Sequence, residues 1–245
     1  VDCFSGISGD MFLAALIDAG LPLDVLRGEL AQLALPEAYS LAAEETKKGA
    51  LRACLLKVDV PHAHDHAAGG DEPGPAHEHH HDHGHPRGWR EIRELIQASA
   101  LDEGVKQTSL AIFSRLAAAE GRVHGVPAEE VHFHEVGAVD SIVDIVGAAV
   151  GRRHLGVERL YASALPMGSG TVQSQHGLLP LPAPATLELL TEAHAPTVPS
   201  TARVELVTPT GVAILAALAT FEQPAMTVAA RGVGAGQREL PWPNI

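Results

Sequence analysis

Aromatic residues make up only 4% of this 245-residue chain, so its core has to be assembled mainly from Ala, Leu and Val. Cysteine is scarcer still. Cys3 and Cys54 are too few for a disulfide framework and too far apart for a C-x-x-C motif. No apolar run approaches the roughly 18 residues of a membrane span, and no basic segment precedes an apolar one as in a signal peptide. Cytoplasm is therefore the expected location. Positive charge is also short: 17 Lys+Arg stand against 30 Asp+Glu, a formal net charge of −13. An acidic surface repels phosphate backbones and anionic lipid, so neither nucleic acid nor a membrane is an expected partner. There is no Walker lysine, no G-x-S-x-G elbow and no glycine fingerprint leading into a helix, which argues against P-loop, serine hydrolase and dinucleotide-binding chemistry.

What the chain has in excess is histidine. Of 15 histidines, nine fall between His62 and His85. They form H-A-H-D-H (His62, His64, His66) and H-E-H-H-H-D-H-G-H (His77, His79, His80, His81, His83, His85). Residues from about 61 to 88 hold almost nothing apolar and cannot offset ordering entropy by burial, so a disordered His-rich loop is expected within one domain. Neutral imidazoles are good ligands for nickel, zinc and copper. A mobile loop satisfies several geometries and pre-organises none, which suits storage or delivery better than catalysis.

Periodicity predicts an α/β fold, a mixed sheet flanked by helices. Helices are expected at Met11–Ala19 with Asp10 as N-cap, at Asp24–Leu33, around Ile92–Ile96, from Asp102 to His124, at Ala138–Leu155, at Pro184–Leu190 and at Gly211–Thr220. Strands are expected at Tyr39–Glu44, Leu51–Val60, 131–134, in the first part of 159–180 ahead of an irregular glycine-rich stretch, at Val204–Val207 and near Met226–Ala230.

A second polar constellation is V-H-F-H-E-V-G-A-V-D-S-I-V-D at 131–144. On a strand, His132 and His134 point to one face. On the following helix Asp140 and Asp144 are four apart and share a face that continues through Gly147, Ala148 and Gly151, small enough to let something approach. With Glu135 these residues make a candidate metal or acid–base site. Ser5, Gly6, Ser8, Gly9 and Asp10 form a turn whose N–H groups suit a phosphate at a helix start, although Asp10 opposes an anion unless a divalent cation bridges them. Gly168, Ser169, Gly170 and His176 are further candidates. Cys3 reads as a small core residue rather than a thiolate ligand.

Several blocks together carry a family resemblance. D-C-F-S-G-I-S-G-D-M at 2–11, V-H-F-H-E-V-G-A-V-D-S-I-V-D-I-V-G-A at 131–148, P-M-G-S-G at 166–170, H-G-L-L-P-L-P-A-P-A-T-L-E-L-L at 176–190, E-L-V-T-P-T-G at 205–211 and G-V-G-A-G at 232–236 resemble the nickel-insertion proteins of nickel-pincer cofactor synthesis, the LarC family. The resemblance implies insertion of Ni(II) into pyridinium-3,5-bisthiocarboxylic acid mononucleotide, forming two Ni–S bonds and one Ni–C bond. It also implies an apo lactate racemase-type enzyme as recipient, and CTP with Mn(II) or Mg(II) as co-reactant. Family members bind that nucleotide mainly through a C-terminal domain beyond the point where this sequence stops, so residues 1–245 are expected to be the nickel-insertion domain alone. Homo-oligomer formation is left open. Two other classes fit the residues: a non-catalytic nickel-storage or metallochaperone protein using the same loop, and a metal-dependent phosphohydrolase built on Asp2, Asp10 and the His132 cluster.

Because the histidine segment supplies no core residues and loop length adds little closure entropy, deleting residues 62–85 is expected to leave the fold intact while lowering nickel stoichiometry several-fold. Calorimetric titration with Ni(II) checks this, and unchanged stoichiometry would reduce the loop to decoration.

Overall fold

A computed structural model describes residues 1–61, 87–133 and 139–245. The expected α/β mixture is present, with seven α-helices among the described residues. The strands pair two by two, in five separate ladders, two parallel and three antiparallel.

The centre is α5 (Val139–His154), in which every residue from Ser141 to Gly151 is buried. A helix apolar all round can only be an interior one. Around it pack α1 (Gly9–Asp18), α2 (Leu23–Ala31), α4 (Glu103–His124) and α7 (Pro209–Leu218). The small face of α5 is filled by α1. A Cβ added at Gly147 would lie 2.5 Å from Leu13 Cδ2, and one at Gly151 would lie 2.7 Å from Leu16 Cδ1. At the other end of the same seam Gly9 has no room for a Cβ beside the Asp144 carboxyl. The approaching element anticipated from small residues is thus the first helix of the chain.

α4 has the ends expected of it. The Asp102 carboxylate accepts from Gly104 N–H at 2.9 Å, and Gly125 closes the helix at φ +68°. Its Phe113 links Trp89 and Phe133, with ring centroids 6.3 Å apart on each side. That cluster anchors α3 (Trp89–Ala98) and the short ladder of β3 (Arg87–Gly88) with β4 (His132–Phe133). The few aromatic residues are therefore concentrated where a two-residue ladder needs support.

The strands β1 (Ser40–Lys48) and β2 (Leu51–Asp59) form an antiparallel hairpin, in register from Ser40↔Asp59 to Lys48↔Leu51. The far edge of β2 is taken up by the chain near its end: Cys54 N–H donates to Val233 O at 2.8 Å, and Ala235 N–H donates to Cys54 O at 2.7 Å. Residues 236–244 are thereby laid beside the start of α1. Three short pairings complete the layout: β5 (Leu160–Tyr161) lies parallel to β10 (Ala219–Thr220), and β6 (Leu165–Met167) lies parallel to β9 (Thr197–Pro199). The third is a hairpin of β7 (Thr171–Ser174) and β8 (Gly177–Pro180), followed by α6 (Pro184–Glu192).

Four local expectations are corrected. Ser8, with extended φ −133° and ψ 168°, is the N-cap residue of α1, and Asp10 sits inside the first turn. The glycine-rich part of 159–180 is not irregular but holds the β7–β8 hairpin. At Val204–Val207 no strand forms, because the only ladder contact there is a single parallel bridge, Ile7↔Val207. At Met226–Ala230 the chain has no regular structure, and Met226 and Val228 are exposed without a neighbouring strand to pair with.

The α1–α5 seam is testable by contrast. Gly147→Ala is expected to destabilise the protein by about 1–3 kcal/mol, the usual range for overpacking. Gly28→Ala, inside α2 where nothing lies within 4 Å of the new methyl, is expected to stabilise by roughly 0.5–1 kcal/mol. Denaturant unfolding of the two variants measures both signs.

Candidate functional site

The single bridge Ile7↔Val207 is small, but it fixes the site. Ile7 N–H donates to Leu206 O at 2.8 Å and Thr208 N–H returns to Ile7 O at 3.0 Å. Immediately after these bonds the two chains turn into helices, so α1 and α7 start side by side. The first turn of α5 joins them across the α1–α5 seam. Between the three helix starts lies a cavity of about 460 Å³. Its floor carries Gly9, Asp10, Asp140, Ser141 and Asp144. Glu205, Thr208 and Thr210 line it from the α7 side, Arg238 and Asn244 from the terminal segment, and Leu56 and Val58 from β2.

Asp144 is the group most out of keeping with its surroundings. Its side chain is 9% exposed, and its Oδ1 has no hydrogen-bond partner among the described residues. Burial pushes its carboxyl well above the usual carboxylate range, and the negative charges of Asp10 and Asp140 push it further. One donor, the Asp10 backbone N–H, acts in the opposite direction. Asp10 is itself held: its Oδ1 accepts from Met11 N–H at 2.9 Å and from the Ser8 hydroxyl, and its Oδ2 accepts from Gln237 Nε2 at 3.3 Å. Asp140 Oδ1 accepts from Ser141 N–H at 2.8 Å. Three aspartate carboxylates, with Glu205 as a fourth acid, thus face one small space between three helix starts.

Two hydroxyls share the condition of Asp144. Ser141 is 8% and Thr210 7% exposed, and neither hydroxyl has a hydrogen-bond partner among the described residues. Thr208, by contrast, is occupied in capping α7, its hydroxyl accepting from Gly211 N–H at 3.2 Å.

Of the residues singled out from the sequence, the structure brings Ser8, Gly9, Asp10, Asp140 and Asp144 together. The others lie elsewhere. The Ser5 hydroxyl is tied to the Ile245 backbone, donating to O at 2.5 Å and accepting from N–H at 2.9 Å, and Gly6 packs on the Leu206 backbone. Gly168, Ser169 and Gly170 run beside residues 202–204, with Ser169 N–H donating to Ala202 O at 2.9 Å. His176 sits in the β7–β8 turn, its ring 4.8 Å from that of His124. His132 is exposed on β4 and does not line the cavity. His134, Glu135 and the nine histidines His62, His64, His66, His77, His79, His80, His81, His83 and His85 lie outside the described residues. Among the described residues no group of three or more His, Cys, Asp or Glu is placed to hold a metal ion by itself. Cys3 is buried and its thiol is pushed up to about 11, which fits a core residue and not a thiolate ligand. No helix of the described residues is long and apolar enough to cross a membrane.

Ser141, Thr208, Thr210, Gln237, Arg238 and Asn244 are polar cavity residues that the sequence did not single out. The run Thr208–Pro209 was the available signal, since a threonine followed by proline marks a helix start and places Thr210 in its first turn.

A cavity built from helix starts, carboxylates and unpartnered hydroxyls suits a small ligand or an ion, and similarity to known proteins gives the family of the chain that carries it. The profile of the family described as "Nickel insertion protein" matches residues 1–245. Curated relatives whose names assign them, by inference, to nickel insertion include proteins from Syntrophobacter fumaroxidans, Pelobacter propionicus and Thermomicrobium roseum. They are 50%, 51% and 48% identical over 247, 250 and 244 residues, each match covering 100% of this chain. The chain belongs to the nickel insertion protein family. It spans 58%, 58% and 55% of the length of those three relatives. No solved structure matches it.

The strained carboxyl has a consequence for stability. A carboxyl raised on folding favours the folded state below its unfolded titration range and loses that contribution as pH rises towards its folded one. Asp144→Asn is therefore expected to unfold at a higher temperature than the parent at neutral pH. Each kcal/mol relieved is worth about 2–4 °C for a domain of this size. The difference should vanish below about pH 4, where both side chains are neutral. Thermal unfolding across that pH range checks the sign, and a neutral-pH loss would mean that Asp144 is a structural partner.

Proposed function

We propose that this chain carries the insertion step of a nickel chelatase of the lyase class (a cyclometallase). Ni(II) enters pyridinium-3,5-bisthiocarboxylic acid mononucleotide, and the product serves an apo lactate racemase-type enzyme. In the whole protein the step uses CTP with Mn(II) or Mg(II), in the cytoplasm. The observation that carries this reading is the convergence of Asp10, Asp140 and Asp144 on one cavity in a member of the nickel insertion family.

Insertion asks two things of a protein. One is a place where a dication is favoured over its hydrated state, and clustered carboxylates in a partly dry cavity supply that potential. The other is an oxygen to take the proton that leaves the ring carbon. The C–H electron pair becomes the C–Ni bond, and a carboxylate of the cluster accepts the proton. The histidine segment, His132 and His134 are the nickel-collecting groups in this reading, and the cavity is where nickel and substrate meet.

The phosphohydrolase alternative is disfavoured by placement. Asp2 lines a different, apolar cavity, and His132 is exposed and does not line the acidic one. A storage protein would need no buried, unpartnered carboxyl facing a cavity large enough for a substrate.

In a reconstituted reaction with precursor, Ni(II) and CTP–Mn(II), with the remainder of the protein present, Asp144→Asn and Asp140→Asn are each expected to lower cofactor formation at least roughly 100-fold, the scale of a lost acid–base group. Racemase activation reads the product. Normal formation by both variants would remove the cavity from the mechanism. Nickel binding without any cofactor formation by the unmutated protein would favour storage, and phosphate release from generic esters would favour hydrolysis.

A further inference from the structure

We propose that the cavity holds a phosphate monoester group together with a divalent cation. The oxyanion would rest on the Ser141 and Thr210 hydroxyls at the starts of α5 and α7, and the cation on the Asp10, Asp140 and Asp144 carboxylates. The evidence is a set of unmet bonding needs in one place. Ser141, Asp144 and Thr210 are each more than nine-tenths buried, each lines the cavity, and each has a polar atom with no partner among the described residues. A buried carboxylate oxygen without a partner is rare in folded proteins, so Asp144 Oδ1, together with two unpartnered hydroxyls that open on the same space, points to a ligand that satisfies them. Ser109 and Thr186 also carry orphaned hydroxyls, but they lie in the core away from this cavity and stand singly.

Charge then decides what the ligand is. Two hydroxyl donors at the first turns of two helices, each long enough to carry a dipole, favour an anion. Asp10, Asp140, Asp144 and Glu205 all line the same space and repel a bare anion. A bare cation finds attraction but no closed coordination sphere, since these carboxylates are not placed to hold a metal ion on their own. Each half of the site is incomplete without the other. A divalent cation shared between protein carboxylates and ligand oxygens satisfies both, as magnesium bound through one or two carboxylates plus substrate phosphate does elsewhere. A tetrahedral phosphate has oxygens enough to meet two hydroxyls on different helices and still face a cation, whereas a carboxylate has only two. Arg238, from the terminal segment, also lines the cavity and brings a guanidinium donor to it. This subsite deepens the nickel-insertion reading by giving the substrate's phosphate a position, but binding at it does not depend on that reading.

The experiment is calorimetric titration of the protein with phenyl phosphate and, separately, inorganic phosphate, each with and without Mn(II). Phenyl phosphate is expected to bind at least tenfold more tightly when Mn(II) is present. Thr210→Val and Ser141→Ala should each weaken that binding about tenfold while leaving Mn(II) binding alone and the unfolding temperature nearly unchanged. Asp144→Asn should remove most of the Mn(II) dependence. Equal affinity with and without Mn(II), binding of inorganic phosphate only, no binding at all, or undiminished binding in the Thr210→Val, Ser141→Ala double variant would each overturn the proposal. None of these measurements reads nickel insertion, so failure here leaves the proposed function standing, and failure of insertion leaves this site standing.

Discussion

The close crossing of α1 over α5 sets the position of the three aspartates in the cavity. Side chains large enough to hold the helices apart are absent from the seam: Gly9 meets Asp144, Gly147 meets Leu13, and Gly151 meets Leu16. With backbones this near, the N-terminal turn of α1 is pressed against the second turn of α5. Asp144 then has no route to solvent except through the cavity. The same crossing lets the Asp10 backbone N–H reach the Asp144 carboxyl. A larger residue at position 9 would separate the helices and open the floor of the site, so one glycine serves both packing and electrostatics.

That arrangement stores an unfavourable interaction in the ground state. Burying a carboxyl beside two others costs stability unless something neutralises it, and the protein keeps the cost where an incoming dication relieves it. Binding sites and stability optima diverge for this reason, and the predicted gain in unfolding temperature for Asp144→Asn is the same fact seen from the other side. The helix starts moderate the repulsion without abolishing it, because their partial positive charges are fixed and spread over the first turn.

Much of the fold was legible in the sequence because helices announce themselves by a 3.6-residue period and by caps. α4 runs where a helix from Asp102 to His124 is expected, and α5 lies within the expected Ala138–Leu155, although that helix reads from the sequence as apolar on one side and is buried all round. The β1–β2 hairpin was legible from alternation in Leu56, Val58 and Val60. What failed was strand pairing. Val204–Val207 and Met226–Ala230 have β-branched residues but no partner edge, and a strand exists only through its partner. The site was legible in pieces: Ser8, Gly9 and Asp10 on one side, Asp140 and Asp144 on the other. Their meeting was not, because some 130 residues separate them and only the Ile7–Val207 bridge and the glycine seam bring them together. Thr210 and Ser141 escaped notice for a related reason. A threonine or serine in a helix's first turn is ordinary until the structure shows that its hydroxyl has nothing to bond.

The ligand types along the proposed route fit a one-way transfer of nickel. On that route, imidazoles of the histidine segment would bind Ni(II) as borderline donors and release it readily. Carboxylate oxygens are harder and hold nickel more weakly than imidazole does, so the acidic cavity is a poor resting place for the ion and a good crossing point. Thiocarboxylate sulfurs and a ring carbon are softer, and bonds to them are the strongest of the sequence. A cavity whose metal-ligating side chains are mostly oxygen donors would therefore lower the barrier to entry without competing with the product for the metal. Among the described residues no cysteine lines the cavity, and thiolates there would trap nickel before it reached the proposed substrate.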